Sequence, residues 1–124
     1  MSVRFFRCNH CGNVVMKVKG AKAPMMCCGD KMEELIPNST NANILKHMPV
    51  VYRLDSCKIK VEVGNVPHPM LPEHHVEFIY VECEKGGIMV EVTDKSEAIV
   101  CTCQDDPVAV YEYCNIHGLW RAEL

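Results

Sequence analysis

Val108-Ala-Val-Tyr-Glu-Tyr113, Cys114-Asn-Ile-His-Gly118 and Leu119-Trp-Arg-Ala-Glu123 follow one another without a break. The outer segments are β-rich and the middle one is a compact turn, so the stretch predicts two strands joined by a tight connection. Upstream, similar segments recur at Val50–Leu54, Lys58–Val63, Val76–Glu84, Ile88–Thr93 and Ile99–Thr102. Turn residues such as Asp55-Ser56, Gly64-Asn65, Gly86-Gly87 and Asp105-Asp106-Pro107 separate them. Seven short strands at this spacing predict a mostly β chain folded as an antiparallel sandwich. Between Val76 and Val81 apolar residues fall on both faces, so the pattern leaves register open there.

The start of the chain has a different character. Residues 3–7 and 13–18 read as short strands on either side of Cys8-Asn-His-Cys11-Gly12, a hairpin built around cysteines, with Gly20 and Pro24 interrupting the chain beyond the second strand. After Cys27-Cys28-Gly29, the polar run Pro37-Asn-Ser-Thr-Asn-Ala-Asn43 suits a loop or linker. The expected domains are therefore 1–37 and 38–124.

Hydrophobic residues make up 48% and charged residues 23% of the 124 positions, ordinary for a folded soluble protein. No stretch approaches the roughly eighteen apolar residues of a membrane helix. The opening residues lack a secretory pattern, which makes the cytoplasm the expected compartment and a membrane an unexpected partner. A net charge of −3 with scattered Lys and Arg argues against nucleic acid. Nine cysteines are the anomaly, and an odd count favours metal ligation over a disulfide framework.

Cys8, Cys11, Cys27 and Cys28 supply four thiolates from two turns, as a tetrahedral iron or zinc site requires; ligand softness fits both metals. Adjacent cysteines must splay to reach one ion, which makes Cys27-Cys28 the odd half of the set. A domain of under forty residues is too short to hold together by apolar burial, so metal would contribute much of its folding free energy. His10, inside the first motif, reads as an exposed loop histidine.

Of the other histidines, His47, His68, His74, His75 and His117, four sit in segments that look like loops. Pro67-His68-Pro69 fixes its backbone, Pro49 ends any helix through His47, and Cys114-Asn-Ile-His117-Gly118 is a compact turn. Rigid loops carrying imidazoles suggest a preorganised site. Cys114-x-x-His117 alone carries little weight, because that spacing is common in structural zinc sites.

The full set, His47, Pro67-His68-Pro69-Met70, Glu73-His74-His75 and Tyr113-Cys114-Asn-x-His117-Gly-x-Trp120, resembles the superoxide reductase domain of the desulfoferrodoxins. Residues 1–36 resemble desulforedoxin, a small protein with one iron held by four cysteines. The resemblance spans essentially the whole chain. It implies an immunoglobulin-like sandwich, two irons per chain, a homodimer, and one-electron reduction of superoxide to hydrogen peroxide without oxygen evolution, with electrons from a rubredoxin-like donor. It also implies the roles: Cys8, Cys11, Cys27 and Cys28 hold the first iron; His47, His68, His74 and His117 are equatorial and Cys114 axial on the second. The family pattern places a ligand six residues after the Pro-His-Pro-Met histidine, which selects His74 over His75. Lys46 matches a catalytic loop lysine that attracts superoxide. Backbone N–H groups of Ile116 and His117 are expected on the Cys114 sulfur. Many relatives read Glu-Lys-His-x-Pro, where the glutamate closes onto oxidised iron. Leu45 stands in its place, so a carboxylate lid is not expected.

Cys57, Cys83, Cys101 and Cys103 have no place in either site and are expected to be buried small apolar side chains. A redox pair at Cys101 and Cys103 is the alternative, since the two would share a face of a continuing strand. Other readings of the whole chain, a zinc-binding interaction module, an electron carrier with a vestigial histidine site, or a dismutase, differ from the reductase in metal content or in oxygen evolved.

Overall fold

Two short strands flank the first cysteine pair: β1 (Arg4–Arg7) and β2 (Val14–Lys17) form an antiparallel hairpin with Arg7 opposite Val14. The computed structural model describes residues 3–124. Beyond the hairpin lie three strands too short to stand out in the sequence: β3 (Met26–Cys27), β4 (Asp30–Lys31) and β5 (Glu33–Leu35). The last completes a β2-β1-β5 sheet, while β3 and β4 pair only with each other. The described chain divides into two units, Met1–Ile36 and Pro37–Leu124.

In the second unit, Pro37–Asn43 forms neither helix nor strand, yet it is anchored. Asn38 exchanges side-chain hydrogen bonds with the Arg121 backbone, and its own N–H donates to the Leu119 carbonyl. A one-turn helix comes next, α1 (Ile44–His47), capped by the Asn43 side chain accepting from the Leu45 N–H. His47, expected in a loop, ends this helix, and Pro49 starts the next strand.

Seven strands then run β6 (Pro49–Arg53), β7 (Lys58–Val63), β8 (Val76–Cys83), β9 (Gly87–Glu91), β10 (Glu97–Cys101), β11 (Pro107–Cys114) and β12 (Gly118–Glu123). They form a three-stranded sheet, β10-β7-β6, and a four-stranded sheet, β12-β11-β8-β9, with antiparallel pairing throughout. In β7 burial alternates, with Ile59, Val61 and Val63 turned inward. They share one core with Val100 of β10 and with Val76, Ile79, Val81 and Val110 of the facing sheet. Each fully buried valine or isoleucine contributes about 1.5–3 kcal/mol.

The blurred alternation in β8 reflects a strand covered on both faces. Ile79 and Val81 face the shared core, while on the other side Phe78 stacks on Tyr113 and Tyr80 packs against Tyr111. Its pairing with β11 slips between Tyr113 and Cys114, where Tyr113 opposes Phe78 but Cys114 opposes Val76. This irregularity re-aims the backbone at Cys114. Among the described residues no helix is long and apolar enough to cross a membrane.

Candidate metal centres

In the first unit the ligand atoms of Cys8, Cys11, Cys27 and Cys28 all lie within 4.8 Å of one another. The Cys11 and Cys27 sulfurs are 3.6 Å apart and those of Cys27 and Cys28 are 3.9 Å apart. A tetrahedron with metal–sulfur bonds of about 2.3 Å has edges near 3.8 Å, so the spacing fits one ion. The splay demanded of adjacent cysteines is met by the backbone: Cys28 adopts φ +55° and Gly29 φ +74°, left-handed values that swing the second sulfur beside the first. The Cys11 N–H donates to the Cys8 sulfur at 3.5 Å and draws that thiol down to about 6. Asn13 Nδ2 donates to Cys27 Sγ at 3.6 Å. His10 is exposed, with Nε2 3.3 Å from Asp30 Oδ2 and no part in the cluster.

In the second unit four imidazoles close a circuit. Ring centroids lie 4.9 Å apart for His47 and His68, 4.8 Å for His68 and His74, 5.0 Å for His74 and His117, and 4.6 Å for His117 and His47. Neighbouring rings stand at 60° to 81° to each other rather than stacking. Ligand atoms of His47, His68, Cys114 and His117 all lie within 4.8 Å of one another, and His74 joins through its two ring neighbours. The Cys114 sulfur is fully buried, 3.8 Å from His117 Nδ1.

Hydrogen bonds select the free nitrogens. His68 Nδ1 is 2.8 Å from the Pro69 carbonyl, which leaves Nε2 buried without a partner; His74 Nε2 is likewise buried and unpartnered. Buried polar atoms without partners are uncommon, and two of them on neighbouring imidazoles of one circuit are what ligands awaiting a metal would show. His75, by contrast, is satisfied by the Leu71 carbonyl and lies 3.5 Å from Glu77, so only His74 of the adjacent pair is available. Burial lowers the pKa of His47 to about 4 and also lowers His68 and His117, keeping these imidazoles neutral as ligation requires.

Apart from the expected N–H groups on the Cys114 sulfur, the supports come from residues whose roles the sequence does not reveal. Asn115 clasps two loops: its Oδ1 accepts from the His75 N–H at 2.8 Å, and its Nδ2 donates to the Glu73 carbonyl at 3.1 Å. The His117 carbonyl accepts from Thr40 Oγ1 and Trp120 Nε1, and Gly118 comes next at φ +83°. Ser96 Oγ accepts from the His68 N–H. Trp120 stacks on His47 at 5.2 Å. The His117 N–H donates to Cys114 Sγ at 3.4 Å; burial raises the Cys114 thiol, while this bond and one from the Ile116 N–H oppose the rise.

A cavity of about 400 Å³ opens onto the circuit, lined by His47, His68, His74, His117 and, at its rim, Lys46. Leu45 is 64% exposed and is not part of the lining. Cys83 is buried as expected. Cys57, Cys101 and Cys103 are exposed, contrary to expectation, because β10 ends at Cys101 and the chain leaves the core there.

The four-cysteine group and the histidine–cysteine group could hold two irons. A family model described as desulfoferrodoxin matches residues 39–123. The desulfoferrodoxin homolog of Methanothermobacter thermautotrophicus is 39% identical, covering 94% of this chain and 95% of that protein. The superoxide reductase of Pyrococcus abyssi is 35% identical over 64% of this chain and 85% of its own. The crystal structure of the superoxide reductase from Treponema pallidum superposes with a TM-score of 0.82 at 26% identity, covering 99% of this chain and all of that one. On both sequence and structure, the chain belongs to the desulfoferrodoxin family.

Proposed function

We propose that this chain is a two-iron superoxide reductase that converts superoxide, one electron and two protons into hydrogen peroxide and evolves no oxygen. The observation that carries the reading is the closed circuit of four imidazoles beside the buried Cys114 sulfur, open to solvent on its cavity side. His47, His68, His74, His117 and Cys114 would hold the reactive iron; Cys8, Cys11, Cys27 and Cys28 would hold the other. A ferrous ion held by four neutral imidazoles and one thiolate would carry net charge near +1 and would supply the single electron that superoxide needs.

The chain's own groups supply the rest. Lys46 places a positive charge at the cavity rim of an otherwise acidic protein and draws the superoxide anion inward. The N–H groups of His117 and Ile116 withdraw charge from the Cys114 sulfur and temper its donation. Leu45 offers no carboxylate to the cavity, so access for small anions stays open.

The assignment of residues 1–37 as a desulforedoxin-like iron domain and 38–124 as the reductase domain is part of this reading. So are a rubredoxin-like donor, a homodimer and a cytoplasmic setting. The family resemblance supports them.

The test is anaerobic kinetics with superoxide on protein carrying two irons per chain. One donor electron consumed per superoxide, with peroxide formed and no oxygen evolved, is the expected result. Oxygen evolution without donor consumption would make the protein a dismutase, and zinc in both sites would remove the reading.

A further inference from the structure

Outside both metal centres, two exposed thiols meet. Cys101 closes β10 and Cys103 lies two residues beyond, with their sulfurs 2.9 Å apart. Along a regular strand such residues share a face but stay well separated. Here the chain bends: Cys103 has φ +37° and Gln104 φ +65°, two left-handed residues in succession. Thr102 between them is buried and tied down, its N–H and hydroxyl both donating to the Cys57 carbonyl, so the flanking side chains turn outward together. Lys58 stands opposite Cys101 in the strand register.

We propose that Cys101 and Cys103 are a thiol–disulfide redox pair whose oxidant is hydrogen peroxide. The Cys101 thiolate attacks one peroxide oxygen; the S–O bond forms, the O–O bond breaks, and the other oxygen leaves as water after taking a proton. The Cys103 sulfur then attacks the resulting sulfenic sulfur, the S–S bond forms, the S–O bond breaks, and a second water leaves. Two thiols and one peroxide become one disulfide and two waters, each sulfur giving one electron. The hydrogen bond with Cys101 raises the Cys103 thiol, so Cys103 is taken as the sulfur that keeps its proton until the second step. A bridge across one residue at an exposed turn is readily reduced again by a dithiol, which suits a reversible role over a structural one. The pair does not depend on the reductase reading, but the local source of peroxide does.

The experiment uses full-length, iron-loaded protein, reduced, desalted and treated with stoichiometric peroxide before alkylation and peptide mass analysis. The expected result is loss of both alkyl groups from the Cys101–Cys103 peptide, with two hydrogens fewer in its mass and recovery after dithiol treatment. Cys103→Ser should halt the reaction at a Cys101 sulfenic acid captured by dimedone, and Cys101→Ser should leave Cys103 alkylated. Both thiols still alkylated, or a bridge from either to Cys57, would overturn the proposal. A parallel sample is driven by donor and superoxide: a bridge formed by added peroxide but not by turnover upholds the pair and counts against the reductase reading.

Discussion

His47 Nδ1 lies 3.9 Å from Glu112 Oε1, and neither atom has a hydrogen-bond partner. Glu112 sits opposite Ile79 on β11 and is 0% exposed. Burial pushes its carboxyl well above the ordinary carboxylate range. With Nδ1 facing the Glu112 carboxyl, Nε2 is the His47 nitrogen left for a metal, and Glu112 is the polar group nearest the back of that imidazole. Glu112→Ala is expected to weaken metal retention at the histidine site by about 10–100-fold. Chelator competition measures this, with the four-cysteine site as an internal reference; equal retention in variant and parent would refute it.

Gly64 holds the helix that carries Lys46 and His47. Its φ is +76°, and a Cβ there would run into the Lys46 carbonyl and Cα, backbone atoms that cannot step aside. The Gly64 and Asn65 N–H groups also donate to the Met48 and Leu45 carbonyls. Gly64→Ala should therefore cost about 1–3 kcal/mol in denaturant unfolding. Metal content should fall at the histidine site and stay full at the cysteine site.

Lys46→Ala should slow association with superoxide by about tenfold or more and flatten its dependence on ionic strength, since the lost charge is the one at the cavity rim. Lys46→Arg should keep most of the rate. Pulse radiolysis at several salt concentrations gives the answer, and an unchanged bimolecular rate in the alanine variant would strip Lys46 of the role.

Metal removal should affect the two units differently. Phe5, Phe6 and Cys8 are the only buried apolar residues described in the first unit, whereas the second has a two-sheet core. Cys28→Ser, or selective chelation, should abolish hydrogen-exchange protection in β1, β2 and β5 and leave β8 and β11 protected. Loss of protection throughout would show instead that the units fold as one.

The strands of the sandwich are legible because alternation and turn chemistry agree along them: β7 runs Lys58–Val63 in both sequence and structure. Helix α1 is not legible, since a single turn rests on the Asn43 cap and on hydrogen bonds from Gly64 and Asn65, contacts no local pattern encodes. The histidine set is readable only through its resemblance to a family; spacing alone does not choose between His74 and His75, a choice that turns on the Leu71 carbonyl. Glu112 escapes notice because a glutamate within an alternating strand ordinarily faces water. The exposure of Cys101 and Cys103 is hidden because the local pattern continues the strand through residue 102, and two left-handed residues end it sooner.

Trp120 is the chain's single tryptophan, and it lies nearly flat on His47 with 13° between the planes. The protein therefore carries an intrinsic optical reporter of the histidine centre. A paramagnetic ion bound a few ångströms beyond that imidazole would quench the indole emission, and its departure would restore it. Occupancy of this centre can thus be followed by fluorescence, without labels.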